Sequence, residues 1–102
     1  MKVYIAGKIT GNPNYKEQFK KAELELRLQG HKVLNPADTI ARIQGLEHHE
    51  YLHICLAMVD VADAVALLPN WKDSKGAKIE MEYAKKANKK IMYVVKTKKE
   101  RL

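Results

Sequence analysis

The sequence contains a single cysteine, Cys55, and no long apolar segment. One cysteine cannot form a disulfide within the chain, which predicts a protein of a reducing compartment, the cytoplasm. The apolar run Val3–Ala6 is too short for the core of a signal peptide. No run approaches the ~20 residues that a membrane-spanning helix requires. The sequence therefore predicts a soluble, cytoplasmic protein with no membrane partner.

Aromatic and acidic residues are also few. Aromatic residues make up 7% of the chain, and 12 acidic residues stand against 19 basic ones, for a formal net charge of +7. No helix-turn-helix, zinc or RNA-stacking signature accompanies this charge, so the pattern disfavours specific nucleic-acid binding. A positive field would equally attract a small phosphorylated ligand. Much of the basic excess lies near the end of the chain, at Lys85, Lys86, Lys89, Lys90, Lys96, Lys98, Lys99 and Arg101.

The chain does contain an alternation of strand-like and helix-like segments. At 102 residues, 46% of them hydrophobic, it should form a single domain over residues 1–102, with a basic tail from about residue 96. The alternation predicts an α/β fold, a flavodoxin-like or Rossmann-like three-layer sandwich whose parallel sheet has four or five strands in the order 2-1-3-4. The predicted strands are Lys2–Ala6, Lys32–Leu34, Ala64–Leu68 and Lys90–Val95, and the predicted helices begin at Asn14, Glu47 and about Ser74.

The first helix carries signals at both ends. Asn14 is followed three residues later by Glu17, the spacing of a capping box, and Gly30 suits the position after the last turn. The helical periodicity places Glu23 outside the apolar face. Residues 37–45 are predicted to form a loop with one helical turn.

The third predicted strand and the segment after it attract most attention. The apolar run Ala64–Leu68 lies between Asp63 and Pro69, a pattern typical of a strand buried on both faces of a parallel sheet. A loop, 70–75, follows, and a helical pattern then begins. Open α/β sheets bind ligands at such a turn, where the chain leaves the carboxyl end of a strand.

Two glutamates on that helix differ in their surroundings. Glu80 shares a helical face with the small residues Ala77, Ala84 and Ala87, which should pack on the sheet. Glu82 lies among lysines, which predicts a solvent-exposed side chain. A carboxylate on the inner side, one turn from a loop, either faces a ligand or needs a buried partner. Glu80 is therefore the candidate functional residue.

The loop after the first strand, 7–13, carries two glycines, a hydroxyl and an ammonium group. Glycines allow close approach of a ligand to the backbone, but this loop is neither GxGxxG nor a P-loop, and a plain tight turn is an equal interpretation. In the strand order 2-1-3-4 the first and third strands are neighbours, so loops 7–12 and 69–76 should face each other. This arrangement predicts one crevice surrounded by Tyr4, Lys8, Ser74 and Glu80.

Three histidines, His48, His49 and His53, cluster on the second long helix. The spacing from His49 to His53 would suit two metal ligands on one helical face, but no third ligand is evident. An exposed polar face is the preferred interpretation, and the sequence predicts neither a bound metal nor a cofactor.

The stretches Tyr4–Gly11 (YIAGKITG) and Asp63–Glu80 (DAVALLPNWKDSKGAKIE) resemble the nucleoside 2-deoxyribosyltransferase-like superfamily, above all its small phage and bacterial branch. The branch has the patterns Y-I-(A/S)-G-x-I-T-G and D-A-V/I-x-L-L-P-x-W-x-x-S-x-G-A-x-x-E. The likeness extends over nearly the whole chain, and the second pattern is fairly specific.

The resemblance implies a reaction and a set of site residues. It implies cleavage of the N-glycosidic bond, or transfer of the deoxyribosyl group, in 2′-deoxynucleosides or their 5′-monophosphates, with Glu80 as the nucleophile. It also implies that Tyr4 positions the sugar or the glutamate and that Ser74 and Gly76 hold a 5′-phosphate. The remaining candidate substrate contacts are Gly7, Lys8, Ile9, Asp63 and Trp71.

The chain departs from the family pattern at two positions. The aspartate that assists the leaving base is replaced by Cys55, with Asp60 as the candidate catalytic substitute and His53 as the other nearby polar residue, and a common glycine is replaced by Glu82. A nucleotide-binding or sensing domain without catalysis therefore stays open, as does a basic accessory protein that uses its lysine tail. The resemblance also implies a homodimer or higher oligomer, with Glu47–Val59 as the interface.

Overall fold

The computed structural model describes residues 1–94, in which four parallel strands form a sheet. The predicted α/β class and strand order are confirmed. The predicted strand end at Val95 and the basic tail from about residue 96 lie outside the described residues. The strands are β1 (Lys2–Ala6), β2 (Lys32–Leu34), β3 (Ala64–Leu67) and β4 (Lys90–Tyr93), hydrogen-bonded in the order β2-β1-β3-β4.

Helices connect the strands and cover both faces of the sheet, which makes the fold a Rossmann-like three-layer sandwich. Within residues 1–94, no helix is both long enough and apolar enough to cross a bilayer. The helices are α1 (Tyr15–Leu28), α2 (Pro36–Ala41), α3 (His48–Val61) and α4 (Lys75–Lys86), and a short 3₁₀ turn, Trp71–Asp73, precedes α4.

β1 lies inside the sheet, and its side chains alternate between the two helical layers. Val3 and Ile5 pack with Phe19 and other residues of α1 on one face. Tyr4 and Ala6 point to the opposite face, beneath α3 and α4. The buried residues of that second face, here called the α3/α4-side core, are Tyr4, Ala6, Cys55, Val59, Ala62, Val65, Leu67, Ala77 and Ala84.

The ends of α1 confirm one sequence prediction and contradict another. Gly30 has φ +93°, a left-handed conformation that glycine adopts without strain, as expected after a helix. Asn14, however, makes no side-chain capping hydrogen bond. The preceding turn is instead held by Asn12, whose Oδ1 accepts a hydrogen bond from the Asn14 backbone N–H at 3.2 Å.

Glu23 is buried, so its predicted place outside the packed face of α1 is wrong. Its Oε1 accepts a hydrogen bond from Asn35 Nδ2 at 3.0 Å, and its Oε2 accepts one from Arg27 Nε at 2.8 Å. The Asn35 hydrogen bond is the main reason that the pKa of Glu23 lies below its usual value. Asn35 Oδ1 also accepts from the Ala37 backbone N–H at 2.9 Å, so one side chain ties α1 to the start of α2.

Gly7 follows β1 at a point where the backbone lies directly on Leu68. A Cβ at Gly7 would lie 2.6 Å from Leu68 Cδ1 and 2.9 Å from Leu68 Cβ, and Leu68 is buried. Gly7→Ala is therefore expected to lower the free energy of unfolding by about 1–3 kcal/mol in urea denaturation. Gly76→Ala is the matched control, because the nearest atom to its new Cβ is Ser74 Oγ at 3.9 Å. Equal stability of the two variants would contradict a packing requirement at Gly7.

Candidate active site

Three polar side chains from three different elements meet inside the α3/α4-side core. Tyr4 of β1 donates a hydrogen bond from Oη to Glu80 Oε2 of α4 at 2.9 Å. The thiol of Cys55, on α3, is in hydrogen-bond contact with both groups. Tyr4 is fully buried, and Cys55 and Glu80 are 5% and 7% exposed. These three residues are here called the Glu80 cluster.

The spacing on α4 explains why Glu80 turns inward. Ala77, Glu80 and Ala84 are buried, as their three- and four-residue spacing predicts. Glu82 is exposed, so the predicted difference between the two glutamates is confirmed. Ala87, which was expected to share the inner stripe, is exposed because α4 ends at Lys86 and Ala87 is its C-cap.

Burial controls the protonation of the Glu80 cluster. It raises the pKa of Glu80 from 4.5 to about 7, although the hydrogen bonds from Tyr4 and Cys55 act in the opposite direction. Burial, together with the nearby charge of Glu80, raises the pKa of Tyr4 well above its usual value. Burial also raises the pKa of the Cys55 thiol to about 11. At neutral pH the phenol and the thiol are thus protonated donors, while Glu80 is divided between its acid and its carboxylate.

The two loops at the carboxyl edge of β1 and β3 are joined by hydrogen bonds, as their predicted proximity requires. Asn70 Oδ1 accepts from the Lys8 backbone N–H at 3.2 Å, and Asn70 Nδ2 donates to Gln18 Oε1 at 3.1 Å. Asn12 Nδ2 donates to the same Gln18 oxygen and to the Lys8 carbonyl, each at 2.9 Å. Sequence reasoning missed Asn70, Gln18 and Asn12. A polar residue two positions after a buried strand, as at Asn70, was the available signal.

The other predicted residues of these loops serve the local structure. Ser74 caps α4, where its Oγ accepts from the Ala77 backbone N–H at 3.1 Å, and Gly76 lies in the first turn of that helix. Trp71 packs against the α3/α4-side core, whereas Ile9 packs against the core on the α1 side of the sheet. Trp71 is therefore on the same face as Glu80, and Ile9 is on the other.

Residues 1–93 match the model of a family described as a domain of unknown function, DUF4406. The chain belongs to the DUF4406 family. The strands and helices of the described part of this DUF4406 domain all lie within the matched residues. A comparison with curated proteins finds no match.

Two predicted site residues of the DUF4406 domain lie away from the Glu80 cluster. Asp63 precedes β3 at the amino-terminal edge of the sheet, where its Oδ2 accepts from the Lys2 backbone N–H at 2.8 Å. Asp60 is exposed near the end of α3, and its Oδ1 accepts from Tyr83 Oη at 2.7 Å. Five residues of α-helix, a rise of about 7.5 Å, separate Asp60 from Cys55. The structure therefore brings neither carboxylate to Glu80, and the expected assistance from Asp60 has no geometric support.

The histidines of α3 are not part of this site. His48, His49 and His53 are all exposed. In the described range 1–94, no group of three or more His, Cys, Asp or Glu side chains is arranged so that it could hold a metal ion. The chemistry available to the Glu80 cluster is therefore that of a carboxyl group with two protonated donors beside it.

Proposed function

We propose that this protein cleaves the N-glycosidic bond of 2′-deoxynucleosides or their 5′-monophosphates, or transfers the deoxyribosyl group, with Glu80 as the nucleophile. The observation that carries the proposal is the buried hydrogen bond of 2.9 Å from Tyr4 Oη to Glu80 Oε2. It orients a carboxyl group in a layer that excludes most water, where electrostatic effects are stronger than in solvent. Tyr4 leaves Glu80 Oε1 as the oxygen available for attack.

In the proposed reaction, Glu80 Oε1 forms a bond to the anomeric carbon while the bond from that carbon to the base nitrogen breaks. The electron pair of the broken bond leaves with the base, and the carboxylate stabilises the oxocarbenium-like transition state. Water or a second base then attacks the anomeric carbon and releases the carboxylate of Glu80. Since only the ionised carboxyl can attack and its pKa is about 7, the rate should rise with pH through neutrality.

The direct test is to incubate the protein above pH 7 with each deoxynucleoside and deoxynucleoside 5′-monophosphate and to measure free base by chromatography. Wild type should release base, and Glu80→Gln should lose at least ~1000-fold of that rate because glutamine cannot form the ester intermediate. Glu82→Gln, the same change at an exposed position of α4, should keep the wild-type rate. Equal release by the wild type and Glu80→Gln would contradict the proposal.

A second candidate function is binding or sensing of a nucleotide without cleavage. The specific observation in its favour is the position of Asp60 and Asp63, which leaves Glu80 in contact with Cys55 and Tyr4 rather than with an acid. A positioned acid typically contributes ~100-fold or more to the departure of a leaving group. A substrate such as N7-methyl-2′-deoxyguanosine, whose base is already cationic, needs no such acid. Cleavage of this compound alone would support a working nucleophile, and thermal stabilisation by nucleotides with no cleavage at all would support the binder.

We also propose that the protein is cytoplasmic and works as a homodimer that uses α3. This helix has an apolar character around much of its circumference, since Leu52, Ile54 and Leu56 are only half-buried while Cys55 and Val59 already face the core. A second copy would remove those side chains from water. Sedimentation equilibrium at micromolar concentration should give twice the mass of one chain, and a monomer at every concentration would contradict the assembly.

A further inference from the structure

A second concave region lies at the carboxyl edge of the sheet, between the ends of β3 and β4. It is a cleft of about 410 Å³ lined by Trp71, Lys72 and Tyr93 and by aliphatic side chains that include Leu67 and Pro69. Its volume falls within the roughly 300–1,000 Å³ range of small-ligand sites. The cleft is apolar in the middle and has one cation at its border.

The cleft is separate from the Glu80 cluster. None of Tyr4, Cys55 and Glu80 lines it. Trp71 nevertheless packs against the α3/α4-side core, which holds its ring in place. The strand register sets Tyr93 beside Leu67, so the second aromatic ring is carried by the sheet itself. The two rings of the cleft are thus anchored on elements rather than on a long loop.

The lining points to the chemistry of a ligand. Tyr93 is 66% exposed, an unusual amount for a large aromatic side chain at the end of a strand. Lys72 Nζ lies 5.9 Å from the centre of the Trp71 ring, so a cation borders the aromatic surface. Aromatic rings stack on the flat faces of bases, and an ammonium group binds phosphate as a point charge. The chain charge of +7 adds a field that attracts anions.

We propose that this cleft binds a nucleotide, with the base against Trp71 and Tyr93 and a phosphate group at Lys72. This site is independent of the reaction proposed for Glu80. It would hold a nucleotide whether or not Glu80 cleaves one.

Trp71 is the single tryptophan of the chain, so intrinsic tryptophan fluorescence reports on this cleft directly. Titration with adenosine or cytidine 5′-monophosphate should change that fluorescence to saturation, whereas ribose 5-phosphate and inorganic phosphate should have much weaker effects. Adenosine and cytidine should bind more weakly than their monophosphates. No saturable change with any nucleotide, or equal binding of ribose 5-phosphate, would overturn the proposal.

Variants divide the base contact from the phosphate contact. Tyr93→Ala should raise the Kd for nucleoside and nucleotide alike, by roughly 5–10-fold. Lys72→Met should raise the Kd of the nucleotide about 5-fold and leave the nucleoside unaffected. Lys78→Met, at an exposed α4 position that does not line the cleft, is the matched control. Unchanged affinity in both cleft variants would overturn the assignment.

Glu80→Gln separates this proposal from the reaction proposed for the Glu80 cluster. It should bind nucleotides with wild-type affinity in the fluorescence titration, even if base release is lost. Saturable binding without any base release would leave the cleft standing and remove the enzyme, and base release without a fluorescence change would do the reverse.

Discussion

At about pH 8, Glu80→Gln is expected to be more stable than the wild-type protein by up to ~3 kcal/mol. The advantage should shrink as the pH falls and disappear below 4.5, the ordinary pKa of a glutamate. The reason is the burial of Glu80, which raises its pKa in the folded chain to about 7. Urea denaturation of both proteins at several pH values measures the difference directly, because effects of the other titratable groups are shared.

The sign follows from where the proton is held. Between pH 4.5 and about 7 the folded chain retains a proton on Glu80 that the unfolded chain has released. Wild-type stability therefore has its full contribution from this group below 4.5 and loses it as the pH rises through 7. Glutamine has no proton to lose. Glu82→Gln, an exposed position on the same helix, should show no comparable advantage, and an equal gain in both variants would mean that net charge rather than burial is the cause.

Tyr4→Phe is expected to destabilise the protein by about 1.5–3 kcal/mol at about pH 8 and by roughly half as much at pH 5. At the higher pH the change removes a hydrogen bond of 2.9 Å to a buried carboxylate, and at the lower pH it removes one to a neutral acid. The Tyr4 hydrogen bond lowers the pKa of Glu80, so its loss should also raise that pKa further. Denaturation at the two pH values tests both statements.

Two further proteins make the Tyr4 result specific. Tyr83→Phe removes an exposed phenol on α4 that bonds to Asp60 and should cost little at either pH. The double variant Tyr4→Phe with Glu80→Gln should lose most of the pH dependence, which a double-mutant cycle would express as coupling between the two residues. An equal cost of Tyr4→Phe at both pH values would show that its ring packing matters and its hydroxyl does not.

The parts of the fold that follow from local periodicity could be predicted. The run KVYIA has the composition of a strand, and its position between β2 and β3 explains why all of Val3–Ala6 is buried. The three- and four-residue spacing on α4 separated the inward Glu80 from the outward Glu82, because a helix repeats every 3.6 residues. Strand order followed from the alternation of elements, since parallel strands require crossover helices.

The contacts that sequence reasoning missed depend on how elements meet in space. Periodicity within α1 placed Glu23 outside, and only the arrival of Asn35 at the start of α2 makes its burial favourable. Asp60 is close to Cys55 in sequence, but the direction of α3 takes it toward the opposite edge of the sheet. The glycosidic reaction and the likeness to deoxyribosyltransferases stay predictions, since the DUF4406 match carries no activity with it.

Both borders of the sheet, as far as residues 1–94 show them, are very short. β2 has three residues and β4 has four, and each begins with a lysine, Lys32 and Lys90. An open strand border invites main-chain pairing with another molecule, and brevity and a lysine both discourage it. The fold therefore offers little template for fibril growth, and copies of the chain that meet in solution are directed to contact through helices.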